Sequence, residues 1–175
     1  MTIILVTGLI GSGKSAACSY LSELGYPVYD SDSRTKAMYE SVPGFKSRIE
    51  ETLGVPFSEL SVIFRDSAKR TALESMVYPL VLEDFKHFVR ESGSDVVFFE
   101  SAIALEKPQF EGLFDKVVLV RAPLSLRSLR NPKAAEREPL QHEVDPKSVD
   151  YVIENDSGLD ELRDRVDSMI KHFKI

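Results

Sequence analysis

Cysteine is nearly absent from this sequence, and tryptophan is missing altogether. Cys18 is the single cysteine, so the chain can form no internal disulfide, and a reducing cytoplasm is the predicted compartment. The histidines are scattered without the spacing of metal ligands. No apolar run is long enough to cross a bilayer, and the residues after Met1 lead straight into a strand pattern instead of a secretion signal. We therefore expect a cytoplasmic protein without a membrane partner.

An excess of basic residues is also missing. The chain has 22 Lys and Arg residues against 28 Asp and Glu residues, which gives a formal net charge of −6. Because general nucleic-acid binders usually carry a basic excess, we predict no nucleic-acid partner. With 175 residues, 43% of them hydrophobic, the chain is long enough for one domain with a buried core. We expect a monomer or a weak homo-oligomer that acts on small molecules.

Short apolar runs rich in β-branched residues alternate with helical patterns along the chain. The predicted strands are 3–7, 27–30, 95–100, 116–120 and 150–153. This alternation predicts an α/β fold, with a five-stranded parallel sheet between two layers of helices. Ligands of such sheets bind beyond the carboxyl ends of the strands, so the residues that follow each strand are the candidates for a site.

Two further segments have distinctive patterns. Residues 66–91 carry the longest helical pattern, and Pro79 is expected to kink or divide that helix. Residues 131–148 are polar and contain several prolines, so we predict a loop or a lid there.

A phosphate-binding loop, or P-loop, follows the first predicted strand. The pattern G-x-x-x-x-G-K-S is met by Gly8, Gly13, Lys14 and Ser15. Glycines let successive backbone N–H groups turn toward an anion, and the helix that follows adds the positive end of its dipole. Lys14 is predicted to stabilise the transferred phosphoryl group and Ser15 to bind Mg²⁺. The residues predicted to bind ATP in this loop are Gly8, Ile10, Gly11, Ser12, Gly13, Lys14, Ser15 and Ala16.

Other interpretations of the glycine-rich segment fit less well. The glycine spacing does not match the dinucleotide fingerprint G-x-G-x-x-G, and the sequence lacks the N-K-x-D motif of guanine-specific GTPases. A simple glycine-rich turn with an exposed lysine remains the structural alternative. The order of strand, loop and helix favours an ATP-dependent phosphotransferase.

An acidic pair, Asp30 and Asp32, follows the second predicted strand. Phosphoryl transfer needs a hydroxyl aligned with the γ-phosphate, and a carboxylate there can orient that hydroxyl and accept its proton. Either aspartate could instead cap the next helix. Glu100 and Glu106 follow the third strand, where a carboxylate could hold a Mg²⁺-bound water, contact the substrate or make only a structural hydrogen bond.

Two runs resemble the dephospho-CoA kinase family. Residues 7–15 read TGLIGSGKS, against T-G-x-I-G-S-G-K-S in the family, and residues 24–36 resemble its L-G-x-x-V-x-D-A-D-x-x-A-R. The resemblance implies that Asp32 is the catalytic base. Lys36 stands where the family usually has arginine, which keeps the charge and loses the bidentate fork.

Weaker matches continue to the end of the chain in the family's order. They imply that Tyr78 and Glu106 bind the acceptor together with Asp32 and Lys36, and that Arg130 acts on the phosphates. Residues 149–155 resemble A-D-Y-V-I-x-N, which implies that Asn155 lies near the adenine of ATP, and Arg137 matches an arginine of the family's lid.

The resemblance implies a P-loop NTPase fold and a division of the single domain. The predicted core is 1–32, 93–126 and 149–175, with an acceptor-binding helical insert at 33–92 and a short lid at 127–148. The implied substrates are ATP and dephospho-CoA, with Mg²⁺ as cofactor, and the implied reaction phosphorylates the ribose 3′-hydroxyl to give coenzyme A. Another small-metabolite or nucleoside monophosphate kinase, or a nucleotide-binding regulatory module with little turnover, remains an alternative.

Overall fold

The structure is a computed structural model that describes residues 1–137 and 144–175, without the side chains of residues 62, 64, 65, 136 and 137. Its strands are Thr2–Thr7 (β1), Val28–Asp30 (β2), Val96–Glu100 (β3), Lys116–Arg121 (β4) and Tyr151–Glu154 (β5). Its α-helices are Lys14–Glu23 (α1), Ser31–Ser41 (α2), Phe45–Leu53 (α3), Ser67–Ser92 (α4), Leu124–Arg130 (α5), Lys133–Arg137 (α6) and Leu159–Phe173 (α7). Short 3₁₀ segments are Phe57–Arg65, Ala104–Glu106, Pro108–Phe110 and Pro146–Ser148.

The chain forms two compact units. The first comprises Met1–Asp30 and Ser92–Ile175, and the second is Ser31–Glu91. The first unit contains a five-stranded sheet in the order β2-β3-β1-β4-β5, and every neighbouring pair is parallel. The predicted α/β fold with a five-stranded parallel sheet is therefore confirmed.

The strands are buried because their residues are apolar on both faces. Ile4, Leu5 and Val6 are all at most 1% exposed, and such continuous burial is typical of parallel strands covered by helices. Side chains of one face, including Phe98, pack in a core with Leu21 of α1. The same core contains Leu162, Val166 and Met169 of α7. Burial of these side chains fixes α1, and with it the preceding loop, against the sheet.

Aromatic rings fill the opposite face of the sheet in the first unit. Phe99 points away from Phe98 because successive strand residues alternate between faces. Its ring lies 5.0 Å from that of Tyr29, 5.7 Å from that of Phe110 and 5.3 Å from that of Phe114. These rings attach the segment between β3 and β4 to the sheet.

The second unit is helical and has contacts of its own. Arg34 of α2 and Asp84 of α4 form a bidentate ion pair with N···O distances of 2.5 and 3.0 Å. The Arg34 guanidinium also lies 5.4 Å from the Phe88 ring centre. Tyr39 of α2 stacks on Phe45 of α3 at 5.8 Å. The role of this unit in acceptor binding stays a prediction.

Two sequence expectations need correction. At Pro79 the expected division of the long helix is wrong, because α4 continues from Ser67 to Ser92, while a kink there stays a prediction. Its apolar side chains Val77 and Val81 are buried on either side of the proline, which supports an unbroken helix. The segment predicted as a loop or lid contains the short helix α6 and a 3₁₀ turn at Pro146–Ser148, while its residues 138–143 lie outside the described part of the chain. Its role as a lid stays a prediction. In the described part of the chain, no helix has both the length and the apolarity needed to span a membrane.

Candidate active site

The P-loop is shaped by glycines that no other residue could replace without strain. Gly11 has φ 78°, and a Cβ there would stand 2.6 Å from the carbonyl oxygen of Arg127. Gly13 has φ 97°, and its Cβ would collide with the side-chain amide of Asn155. Gly13 is also the N-cap of α1, so the positive end of this helix adjoins the loop. The loop therefore has the backbone geometry and the helix dipole of an anion-binding site.

Ser15 and Glu100 connect the first turn of α1 to the carboxyl end of β3. The Ser15 hydroxyl donates a hydrogen bond of 2.6 Å to Oε1 of Glu100, which is only 8% exposed. Glu100 pairs in register with Val6 of β1 and with Asp30 of β2. These pairings place two carboxyl groups at neighbouring strand ends beside the loop.

Burial raises the pKa of the Glu100 carboxyl above its usual value. The hydrogen bond from Ser15 and the positive charge of Lys14 act in the opposite direction, and the negative charge of Asp30 adds to the increase. Burial also raises the pKa of the Cys18 thiol, and the nearby Glu100 contributes. Cys18 is thus a neutral, buried thiol beneath the loop.

This group of oxygen atoms fits a magnesium ion. Mg²⁺ prefers oxygen ligands and is usually held by one or two protein groups together with waters and substrate phosphates. The Ser15 hydroxyl and the Glu100 carboxylate are of this kind and already lie within 2.6 Å of each other. In the described residues, no group of three or more His, Cys, Asp or Glu side chains is assembled for a metal. A magnesium ion here would therefore take further ligands from the nucleotide and from water.

The sequence leaves the role of Glu100 open, and the predicted site residues do not include it. Its position at the end of the strand next to β1 was the available signal, because P-loop NTPases use an acidic residue together with the loop Ser or Thr to hold Mg²⁺. The sequence could not show that Glu100, rather than Glu106, meets Ser15. Glu106 lies in the 3₁₀ turn Ala104–Glu106 and is exposed.

Arg130 and Asn155 meet at the Ser12 carbonyl of the P-loop. The side-chain nitrogen of Asn155 donates a hydrogen bond of 2.7 Å to the carbonyl oxygen of Ser12. Both terminal nitrogens of Arg130 lie 3.2 Å from the carbonyl oxygen of Asn155. The structure therefore brings together three residues that the sequence analysis assigned to ATP or its phosphates. Arg137 ends α6, and its side chain lies outside the described part of the structure.

A cavity of about 270 Å³, which we call the loop cavity, opens between the start of the P-loop and the segment from β4 to α5. Thr7 and Ser12 line it, and their hydroxyls are buried and have no hydrogen-bond partner among the described residues. Arg121, which pairs with Glu154 at 3.2 Å, also lines the cavity.

The remaining predicted acceptor residues lie in the second unit. Asp32 is in the first turn of α2, where a carboxylate is favoured by the helix dipole, and Lys36 follows one turn later. Both side chains are exposed. Tyr78 is half-buried on α4, directly before Pro79. Their roles stay predictions.

Comparisons with known proteins point to one family. A sequence model of the dephospho-CoA kinase family matches residues 2–161. A dephospho-CoA kinase of Porphyromonas gingivalis is 35% identical over 139 residues, which cover 74% of this chain and 68% of that protein. Another, from Bartonella quintana, is 29% identical over 99% of this chain and 98% of its own length. The crystal structure of TT1252 from Thermus thermophilus superimposes with a TM-score of 0.81 at 28% identity, covering 98% of this chain and 97% of that one.

Proposed function

This chain belongs to the dephospho-CoA kinase family, whose enzymes are kinases of coenzyme A synthesis. We propose that it transfers the γ-phosphoryl group of ATP to the ribose 3′-hydroxyl of dephospho-CoA and releases ADP and coenzyme A. The observation that carries this proposal is the P-loop at the amino end of α1, with Ser15 hydrogen-bonded to Glu100 at 2.6 Å. That pairing of hydroxyl and buried carboxylate suits a metal-bound triphosphate.

In this proposal the P-loop holds the phosphates of ATP through its backbone N–H groups. Lys14 adds a positive charge where negative charge develops on the transferred group. Ser15 and Glu100 would hold Mg²⁺, directly or through a water molecule. When bound, the ion would neutralise charge on the phosphate oxygens.

The acceptor is expected to meet the phosphates through residues beyond the loop. Asp32 is proposed to orient the ribose hydroxyl and to accept its proton, while Lys36, Tyr78 and Glu106 contact the rest of the acceptor. Exposure of the Asp32 side chain leaves it accessible to a substrate. Arg130 and Arg137 are proposed to act on the phosphates of ATP. The cytoplasmic location and the monomeric or weakly oligomeric state also stay predictions.

A direct test is to incubate the protein with ATP, Mg²⁺ and dephospho-CoA and to measure the masses of the products. We expect the acceptor to gain one phosphate and ADP to form in equal amount. An analogue without the ribose 3′-hydroxyl should gain none. Phosphate on a different acceptor alone would indicate another small-molecule kinase. Tight ATP binding without any acceptor-dependent ADP release would indicate a regulatory nucleotide-binding protein.

A further inference from the structure

The carbonyl oxygen of Ser12 is held by a residue far away in sequence. Asn155 follows β5 and is 5% exposed, and its side-chain nitrogen lies 2.7 Å from that oxygen. The backbone of Asn155 is itself fixed, because its N–H donates to the carbonyl of Arg121 at 2.6 Å. Arg130 of α5 adds two contacts of 3.2 Å to the Asn155 carbonyl and a longer one of 3.5 Å to Ser12. The segment after β5 and helix α5 thus both contact one peptide group of the loop.

The orientation of this peptide group decides which atom faces an anion. In a trans peptide the C=O and N–H groups point in opposite directions. When the Ser12 carbonyl is drawn toward Asn155, the N–H of Gly13 must point away from Asn155. Rotation of the same peptide would exchange the two groups and present an oxygen, which repels phosphate, in place of a donor.

Gly13 makes such a rotation sterically easy, so an external constraint is needed. Glycine populates conformations with positive φ as readily as those with negative φ, and Gly13 has φ 97°. The Asn155 amide occupies the space where a side chain at position 13 would begin. The Asn155 amide therefore excludes larger residues from position 13. It also restrains the Ser12–Gly13 peptide, which a glycine at position 13 would otherwise allow to rotate.

We propose that Asn155 is a positioning residue of the P-loop, which fixes the Ser12–Gly13 peptide so that the Gly13 N–H is available to a polyphosphate. Arg130 holds Asn155 in place through the Asn155 carbonyl, and its charge makes these hydrogen bonds stronger than neutral ones. This inference rests on the proposed phosphate-binding role of the loop. This role differs from the expectation that Asn155 contacts adenine, because a positioning residue affects phosphate binding whether or not the ligand carries a base.

Binding of ADP and of inorganic tripolyphosphate, each with Mg²⁺, distinguishes the two roles. We expect Asn155→Ala to weaken both by a similar factor of about ten, the size of one lost hydrogen bond to a well-ordered group. Isothermal titration at a temperature where the variant is folded would measure this. A loss confined to ADP would show a base contact and overturn the proposal, as would unchanged binding of both. Asn131→Ala is the matched control, since the Asn131 side chain accepts a local hydrogen bond from the Lys133 N–H.

A second measurement uses the wild-type chain and does not depend on how the variant folds. In ¹⁵N-resolved NMR spectra, the Gly13 amide signal should shift strongly when tripolyphosphate is added. A Gly13 signal that stays in place while tripolyphosphate binds would overturn the positioning role and leave the proposed kinase reaction intact. If the wild-type chain bound no tripolyphosphate, both this inference and the assignment of the phosphate loop would be overturned.

Discussion

The Ser15 hydroxyl donates a 2.6 Å hydrogen bond to the carboxyl group of Glu100, across 85 residues of sequence. This contact joins the residue that follows the loop lysine to the end of the strand beside β1. It makes Glu100 a candidate to support the magnesium ion that we propose at Ser15.

Replacing Glu100 with glutamine tests that role. Glu100→Gln keeps the shape and a hydrogen-bonding oxygen for Ser15 but removes the negative charge, so we expect turnover to fall by about tenfold to a hundredfold. Higher Mg²⁺ concentrations should restore part of the activity. Steady-state rates measured over a range of Mg²⁺ concentrations would show this. Glu111→Gln, at an exposed position outside the site, is the control. If Glu100→Gln turned over at the wild-type rate at every Mg²⁺ concentration, Glu100 would be excluded from the metal site.

The proposed base, Asp32, can be tested without disturbing the nucleotide. Asp32→Asn should leave ATP affinity nearly unchanged and lower turnover by about a hundredfold or more, because the acceptor hydroxyl loses the group that takes its proton. The measurement is a nucleotide titration followed by steady-state kinetics. Glu40→Gln removes one charge from the same helix, at an exposed side chain that pairs with Lys46, and serves as the control. A turnover within about threefold of the wild type would remove Asp32 from this role.

Lys14 should affect binding and catalysis together. Lys14→Ala removes the positive charge beside the phosphates, so we expect weaker nucleotide binding and a turnover lower by about a hundredfold or more. Lys86→Ala, at a side chain that is 63% exposed, is the control for loss of a lysine. Intact binding and turnover in Lys14→Ala would contradict the assignment of the phosphate loop.

The raised pKa of Glu100 predicts a pH dependence of stability in the absence of metal and nucleotide. The folded state binds this proton more tightly than the unfolded state, so the wild-type chain loses stability as pH rises from the unfolded pKa, about 4.3, to the raised folded pKa. Above the folded pKa the loss is complete. Glu100→Gln cannot titrate, so its stability relative to the wild type should increase across this window. Urea unfolding at a series of pH values would measure the difference, and a difference that stays constant with pH would contradict it.

Much of the fold follows from local sequence. Each strand is a short apolar run, and these runs predict the five strands within one or two residues because continuous burial requires continuous apolar character. The P-loop was equally visible, since its glycines, Lys14 and Ser15 lie within eight consecutive residues. The exception is Pro79, where burial of the neighbouring α4 residues preserves a helix that local propensity predicts to be interrupted.

Tertiary structure alone decided which distant residues meet at the loop. The sequence contains several acidic residues after strands, and only the order β2-β3-β1-β4-β5 selects Glu100 as the partner of Ser15. Likewise, Asn155 reaches Ser12 across 143 residues because β4 and β5 lie on the same side of β1. The sequence by itself determined the position of the phosphate loop, because the motif occupies consecutive residues of the chain. Its metal and positioning partners depend on strand order, which brings remote segments together when the core is buried.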